Sequence, residues 1–228
     1  NAMTRAMMSE LADLWDDLAR SDHRCVVITG AGNKGFCAGA DVSGDLTATP
    51  EVAETVNRSL LKTQMFPKPI IAAVNGDCVA GGVELMLASD IRVAATHARF
   101  GLPEVRLSIY PFGGATVKLV HQIGYVHAMK LLLGAQLIDA EEAARIDLVN
   151  DVVPGDQLMD WALNMAKTIA ANSPSAVQAV KRKISTEIAE HALTQEGLDQ
   201  ELGDIVRDSP HFKEGVAAFL EKRKPNYE

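Results

Sequence analysis

Two acidic residues, Glu84 and Glu104, each close a phrase suited to close backbone approach. Glu84 ends Asn75-Gly76-Asp77-Cys78-Val79-Ala80-Gly81-Gly82-Val83-Glu84, and Glu104 ends Arg99-Phe100-Gly101-Leu102-Pro103-Glu104. A third phrase, Gly35-Phe36-Cys37-Ala38-Gly39-Ala40-Asp41, lies upstream. Carboxylates exchange protons with a substrate, and backbone amides at glycine-rich turns hold an oxyanion. Together these are the parts for adding or removing a proton next to a thioester carbonyl. Alone, Glu84 would read as a charge at a helix start, and Glu104 as a solvated acid after Pro103. Their joint occurrence with two glycine phrases favours the chemical reading.

The glycine phrases carry local expectations. Val79-Ala80-Gly81-Gly82 directly precedes the apolar run Val83 to Ala88, which predicts a helix whose first turn offers the Gly81 N–H. Ala38-Gly39-Ala40-Asp41 has small side chains where backbone must approach a ligand, or else forms a plain tight loop. Gly30-Ala31-Gly32-Asn33-Lys34-Gly35 is a literal G-x-G-x-x-G after a strand. A dinucleotide fold is rejected, because that fingerprint needs a helix opening inside the motif and this chain runs into another glycine phrase.

Other chemistries find little support. The six histidines lack H-x-x-x-H or H-E-x-x-H spacing, so no metal site is expected. No G-x-S-x-G elbow occurs. A net charge of −8 without a long like-charge run argues against nucleic acid as the main partner. The three cysteines, Cys25, Cys37 and Cys78, form no C-x-x-C, so neither a disulfide framework nor a zinc site is expected and a reducing cytoplasm is the simplest home. No apolar run approaches a membrane span. Lys222-Arg223-Lys224 either suits a helix end or binds a ligand phosphate.

The elements that must position these residues alternate in type. Met7, Leu11, Leu14 and Leu18 follow Thr4 at helical spacing. Apolar runs at Cys25 to Thr29, Ile70 to Val74, Ile91 to Ala94 and Val149 to Val153 predict buried strands. Strands joined through helices give an α/β core with mostly parallel pairing. Asp139 to Glu142 is a reciprocal cap, and Ser173-Pro174 opens a helix with Val177, Val180, Ile184 and Ile188 on one face. Phe212, Val216, Phe219 and Leu220 stripe a last helix. The 228 residues therefore divide into a core over 1–153 and a helical subdomain over 154–228.

In this order, the phrases resemble the enoyl-CoA hydratase/isomerase, or crotonase, family along essentially the whole chain. Asn1-Ala2-Met3-Thr4 is similar to the family's helix entry, Phe36 to Asp41 to its first oxyanion loop, and Asn75 to Glu84 to its second. Phe100 to Glu104 carries the second acid, Pro111-Phe112-Gly113-Gly114 resembles the segment after it, and Glu214 to Pro225 resembles the C-terminal helix and tail. The resemblance implies a ClpP-like spiral of ββα units with a C-terminal helical trimerisation region. It implies oxyanion amides at Ala40 and Gly81 and acid/base carboxylates at Glu84 and Glu104. It further implies substrate contacts at Ala38, Asp41, Pro111, Phe112, Gly113 and Lys222. The expected reaction is reversible addition of water to a trans-2-enoyl-CoA, with no cofactor, since coenzyme A is part of the substrate. The expected assembly is a homotrimer or a hexamer built as a dimer of trimers.

Alternatives on the same scaffold are an enoyl-CoA isomerase or another acyl-CoA lyase. One of another class is a non-catalytic relative that binds, RNA included; the acidic balance and both glutamates speak against it. Departures from the family pattern are Phe112 in place of glycine, Ser43 in place of a phosphate-binding lysine, and Gly203 where some relatives have an aromatic wall. A β-hairpin of roughly 25 residues that the family carries before Asn1-Ala2-Met3 is also not part of this sequence.

Overall fold

A computed structural model describes residues 1–41, 43–44 and 49–228. Four parallel strands, β1 (Val26–Thr29), β3 (Ile70–Val74), β5 (Ile91–Ala95) and β8 (Asp151–Val153), form one sheet in the order β1-β3-β5-β8. Four shorter strands form a second sheet in the order β2-β4-β6-β7: β2 (Gly35–Cys37), β4 (Asp77–Val79), β6 (Arg99–Gly101) and β7 (Ile138–Asp139). Among the described strands only β7 runs antiparallel, pairing Arg99 with Asp139. The chain therefore repeatedly leaves a long strand, turns, and adds a short strand to the other sheet, as a ββα spiral must.

The strand β3 shows why the core forms where it does. Ile70, Ala72 and Val74 point into the main apolar cluster, while Ile71 and Ala73 point into a second cluster with Leu158 and Ala162. Alternate residues face opposite sides of a strand, so a run buried on both faces must be apolar throughout. The helix α6 (Leu158–Ala170) covers the second face and packs against β3 and β5.

Helices α1 (Arg5–Arg20) and α2 (Pro50–Ser59) pack on each other, pinned where Trp15 Nε1 donates to the Ser59 carbonyl at 2.9 Å. Thr4 caps α1 as expected, its hydroxyl accepting the Met7 N–H. The inward face matches the spacing argument in part: Leu11 and Leu18 pack on the core beside buried Met8, Ala12 and Trp15, whereas Met7 and Leu14 are exposed. Trp15 outweighs the leucine stripe because it buries more apolar area. The long helix α7 (Pro174–Asp208) differs similarly. It turns Lys181, Ala189, Ala192, Asp199 and Gly203 inward and leaves Val180 and Ile184 exposed.

Between β4 and β5 lies α3 (Gly81–Met86). After β6 comes a 3-10 turn, Glu104–Leu107, and then α4 (Ala115–Gly134), kinked at Gly124. The short helix α5 (Ala140–Arg145) starts at the Asp139 cap, whose side chain accepts the Glu142 N–H. The chain ends with α8 (Pro210–Leu220), which packs on the 3-10 turn.

Candidate active site

The first glycine loop follows β2. Gly39 has φ +85, a conformation that side chains with Cβ rarely adopt. Met3 donates its N–H to the Gly39 carbonyl at 2.7 Å, and its own carbonyl accepts the Asp41 N–H at 2.9 Å. This parallel bridge uses the groups on either side of Ala40 and turns the Ala40 N–H the other way. Asn1 secures the same loop: its side-chain amide donates to the Ala31 and Gly35 carbonyls, and its carbonyl accepts the Ala38 N–H.

The second loop follows β4. Ala80 holds φ 54 and ψ −127, a strained conformation for a residue with a side chain. Its N–H donates to the Gly101 carbonyl, and its carbonyl accepts from Val83 and Glu84. The Gly81 N–H, at the first position of α3, has no helical partner. The two loops touch. A Cβ on Gly39 would sit 2.9 Å from Ala80 Cβ and 3.0 Å from Gly81 N, and one on Gly81 would sit 3.6 Å from Ala40 N. Among the described residues no backbone bond consumes the Ala40 or Gly81 N–H.

Glu84 lies one turn along α3 from Gly81 and is 5% exposed. Its partner is not α3 itself. Oε1 accepts the Ala115 N–H at 3.3 Å, so the carboxylate sits at the N-terminus of α4. Gly113 admits it: a Cβ there would lie 2.2 Å from Oε2. Burial raises the Glu84 pKa, while the Ala115 and Gly113 amides and the charges of Lys62 and Lys118 pull it back.

Glu104 opens the 3-10 turn and is 8% exposed. Its Oε2 is buried with no hydrogen-bond partner among the described residues. Burial first, and then the Glu84 charge, push its pKa up to about 8. The turn is braced from behind by α8. A Cβ on Gly215 would lie 2.1 Å from the Leu107 carbonyl oxygen, and Tyr227 donates its hydroxyl to the Arg106 carbonyl at 2.6 Å.

The structure therefore brings Ala40, Gly81, Glu84, Glu104 and Gly113 together. Ala38 is exposed beside them, and Asp41 bonds Ser43 through its carboxylate. Pro111 is buried and Phe112 half-buried before Gly113. Lys222 stands apart, exposed at the end of α8. Gly30-Ala31-Gly32 opens no helix; the Asn75 side chain brackets it by hydrogen bonds to Gly30 and Gly32, which explains why the fingerprint is only literal.

Sequence reasoning missed a buried ionic cluster beside Glu84. Lys62 is fully buried, with Nζ 2.7 Å from Glu196 Oε2, 2.8 Å from Asp199 Oδ2 and 4.2 Å from the Phe112 ring centroid. Tyr110 donates its hydroxyl to Asp199 Oδ1 at 2.7 Å. The only signal was a lysine directly after Leu60-Leu61, a weak one.

The family whose model matches residues 1–228 is described as enoyl-CoA hydratase/isomerase. The chain belongs to the enoyl-CoA hydratase/isomerase family. Within that family it is 40% identical over 236 residues to enoyl-CoA hydratase EchA19 of Mycobacterium tuberculosis, covering all of this chain and 88% of the relative. It is 38% identical over 208 residues to the short-chain-enoyl-CoA hydratase of Clostridium acetobutylicum, covering 90% and 80%. The crystal structure of carnitinyl-CoA hydratase from Mycobacterium avium superposes with a TM-score of 0.90 at 34% identity, covering all of this chain and 90% of that one. The crotonase spiral expected from the phrases is thus the fold of this family member.

Proposed function

We propose that the chain hydrates trans-2-enoyl-CoA thioesters, reversibly, to 3-hydroxyacyl-CoA. The observation that carries this reading is the asymmetry of two buried carboxyls in one site. Burial raises both pKa values, but at Glu84 backbone N–H groups and nearby lysines oppose the rise and favour its charged form. Glu104 has an unpaired oxygen and a pKa near 8, so at neutral pH it holds the proton.

The thioester oxygen accepts hydrogen bonds from the Ala40 and Gly81 amides, which stabilise enolate charge; losing one such donor costs about 2.7–4 kcal/mol. Glu84 takes a proton from water as the water oxygen bonds Cβ. Glu104 gives its proton to Cα, and dehydration reverses both transfers. The addition is redox-neutral and the carboxyls carry every proton, so the proposal involves no cofactor. Ala38, Asp41, Pro111, Phe112 and Gly113 line the approach in this reading, and Lys222 meets the coenzyme A phosphates.

Glu104→Gln tests the assignment. Hydration of crotonyl-CoA should fall at least about 10²-fold with thioester binding nearly unchanged. Full activity would remove Glu104 from the mechanism. Oxygen from labelled water at Cβ separates hydration from isomerisation, which adds none.

Exposed apolar residues on α7 (Val180, Ile184, Leu193, Ile205) and α4 (Tyr125, Val126, Leu133) support a homotrimer or hexamer, readable as mass by light scattering. Three free thiols suit a cytoplasmic home, which cell fractionation checks. Among the described residues, no helix is long and apolar enough to cross a membrane.

A further inference from the structure

Lys62 is an unusual residue to find behind a site that handles hydrocarbon. A fully buried lysine must be paired, and here Glu196 and Asp199 on α7 pair it, with Tyr110 and Asn57 bonded to the same two acids. Its position is defined from two sides. On one side its Nζ lies over Phe112, and its Cγ would be 3.1 Å from a Cβ on Gly114, next to the Glu84 carboxylate. On the other it lines a cavity of about 200 Å³ that also touches Leu61, Met65, Phe66, Leu87 and Ile188. Lys118 borders both spaces as well, its Nζ donating to the Leu61 carbonyl.

We propose that Lys62, clamped by Glu196 and Asp199, is the closed end of the acyl subsite and makes the enzyme selective for short enoyl thioesters, including those ending in a neutral hydroxyl. This rests on the hydratase reading above. The thioester carbonyl lies at the exposed loop around Ala38 and Ala40. Carbons beyond Cβ pass Glu84 toward Leu60, Phe112 and Tyr110, and next meet the ion pairs. A long alkyl tail can reach the cavity beyond only by separating buried charges, which is strongly unfavourable. A hydroxyl can donate to Asp199 or Glu196 and accept from Lys62 without adding charge. A carboxylate tail would add a third negative group beside Glu196 and Asp199.

The experiment compares kcat/KM of the full chain for crotonyl-, 2-hexenoyl-, 2-decenoyl- and 5-hydroxy-2-pentenoyl-CoA, the last matching hexenoyl in heavy atoms. In an apolar tunnel each added CH₂ would raise kcat/KM up to about fourfold. The expected result is the reverse: decenoyl-CoA at least tenfold below crotonyl-CoA, and the hydroxy substrate at or above hexenoyl-CoA. Decenoyl-CoA hydrated as well as crotonyl-CoA would overturn the proposal, as would hexenoyl-CoA several-fold above its hydroxy counterpart. Failure with every substrate refutes the hydratase reading instead.

A neutralised network, Lys62→Leu with Glu196→Gln and Asp199→Asn, should lift the decenoyl/crotonyl ratio tenfold or more. A folded triple variant with an unchanged ratio would assign the cluster to holding α7 alone and sink the specificity role. The wild-type panel decides the matter if the triple variant does not fold.

Discussion

Gly113→Ala is the sharpest test of how Glu84 is held. A Cβ at this position would lie 2.2 Å from Glu84 Oε2, 2.6 Å from Glu84 Cδ and 2.5 Å from Leu60 Cδ1. Ordinary contact begins at about 3.5 Å, so the carboxylate must move by roughly 1 Å or more. The 3.3 Å bond from the Ala115 N–H is already long and would be lost. Misplacement on this scale costs on the order of 10² in rate. Overpacking costs about 1–3 kcal/mol, which for a chain of this size lowers Tm by roughly 2–12 °C. Steady-state hydration of crotonyl-CoA, followed by loss of the enoyl absorbance, should show kcat down about 100-fold with KM little changed. Circular dichroism should show an intact fold. Activity within about threefold of wild type would mean that contact with Gly113 does not set the position of Glu84, and the role given to α4 would be wrong.

Three further outcomes follow from the same site. Gly39→Ala forces a residue with Cβ into φ +85 and against Gly81 N, so hydration should fall 10²-fold or more and stability by about 1–2 kcal/mol; undiminished kcat would mean that the two loops do not jointly bind the thioester oxygen. Hydration should decline as pH rises through about 8, because Glu104 must carry its proton. The linkage sign agrees with this: a carboxyl whose pKa is raised in the folded state stabilises most below its unfolded value near 4.5, and that stability is lost as pH rises through 8. Glu104→Gln should therefore flatten the dependence of Tm on pH across this window, and a wild-type Tm that is level from pH 5 to 9 would contradict the shift.

The site was legible in the sequence where backbone dictates chemistry. Gly39 stands where a Cβ would crowd the second loop, and Gly113, reached only through the family resemblance, where one would crowd the Glu84 carboxylate. The long strands were legible because burial on both faces demands an unbroken apolar run, as in Ile70 to Val74. The second sheet was not, since strands of two or three residues, such as Ile138–Asp139, show no period. Faces of α1 and α7 were misread in part, for another reason. Helical spacing locates an apolar stripe but does not say whether this chain covers it, and Val180 and Ile184 form a stripe left uncovered. Lys62 escaped notice because its two counterions lie on α7, far along the chain, and only the fold joins them.

The asymmetry between the two acids follows from where their supports come from. Burial raises the Glu84 pKa, and the groups around it pull the other way: the amide end of α4 ahead of its kink at Gly124, and the side chains of Lys62 and Lys118. Glu104 is given none of these. Its turn is braced from outside through carbonyl oxygens, those of Arg106 and Leu107, and its own backbone N–H offsets the burial of its carboxyl only in part. Burial, and then the Glu84 charge, favour the neutral form of Glu104. The two carboxyls thus differ in their support before substrate arrives. Moving a donor toward Glu104 would erase that difference more effectively than changing either carboxylate's size.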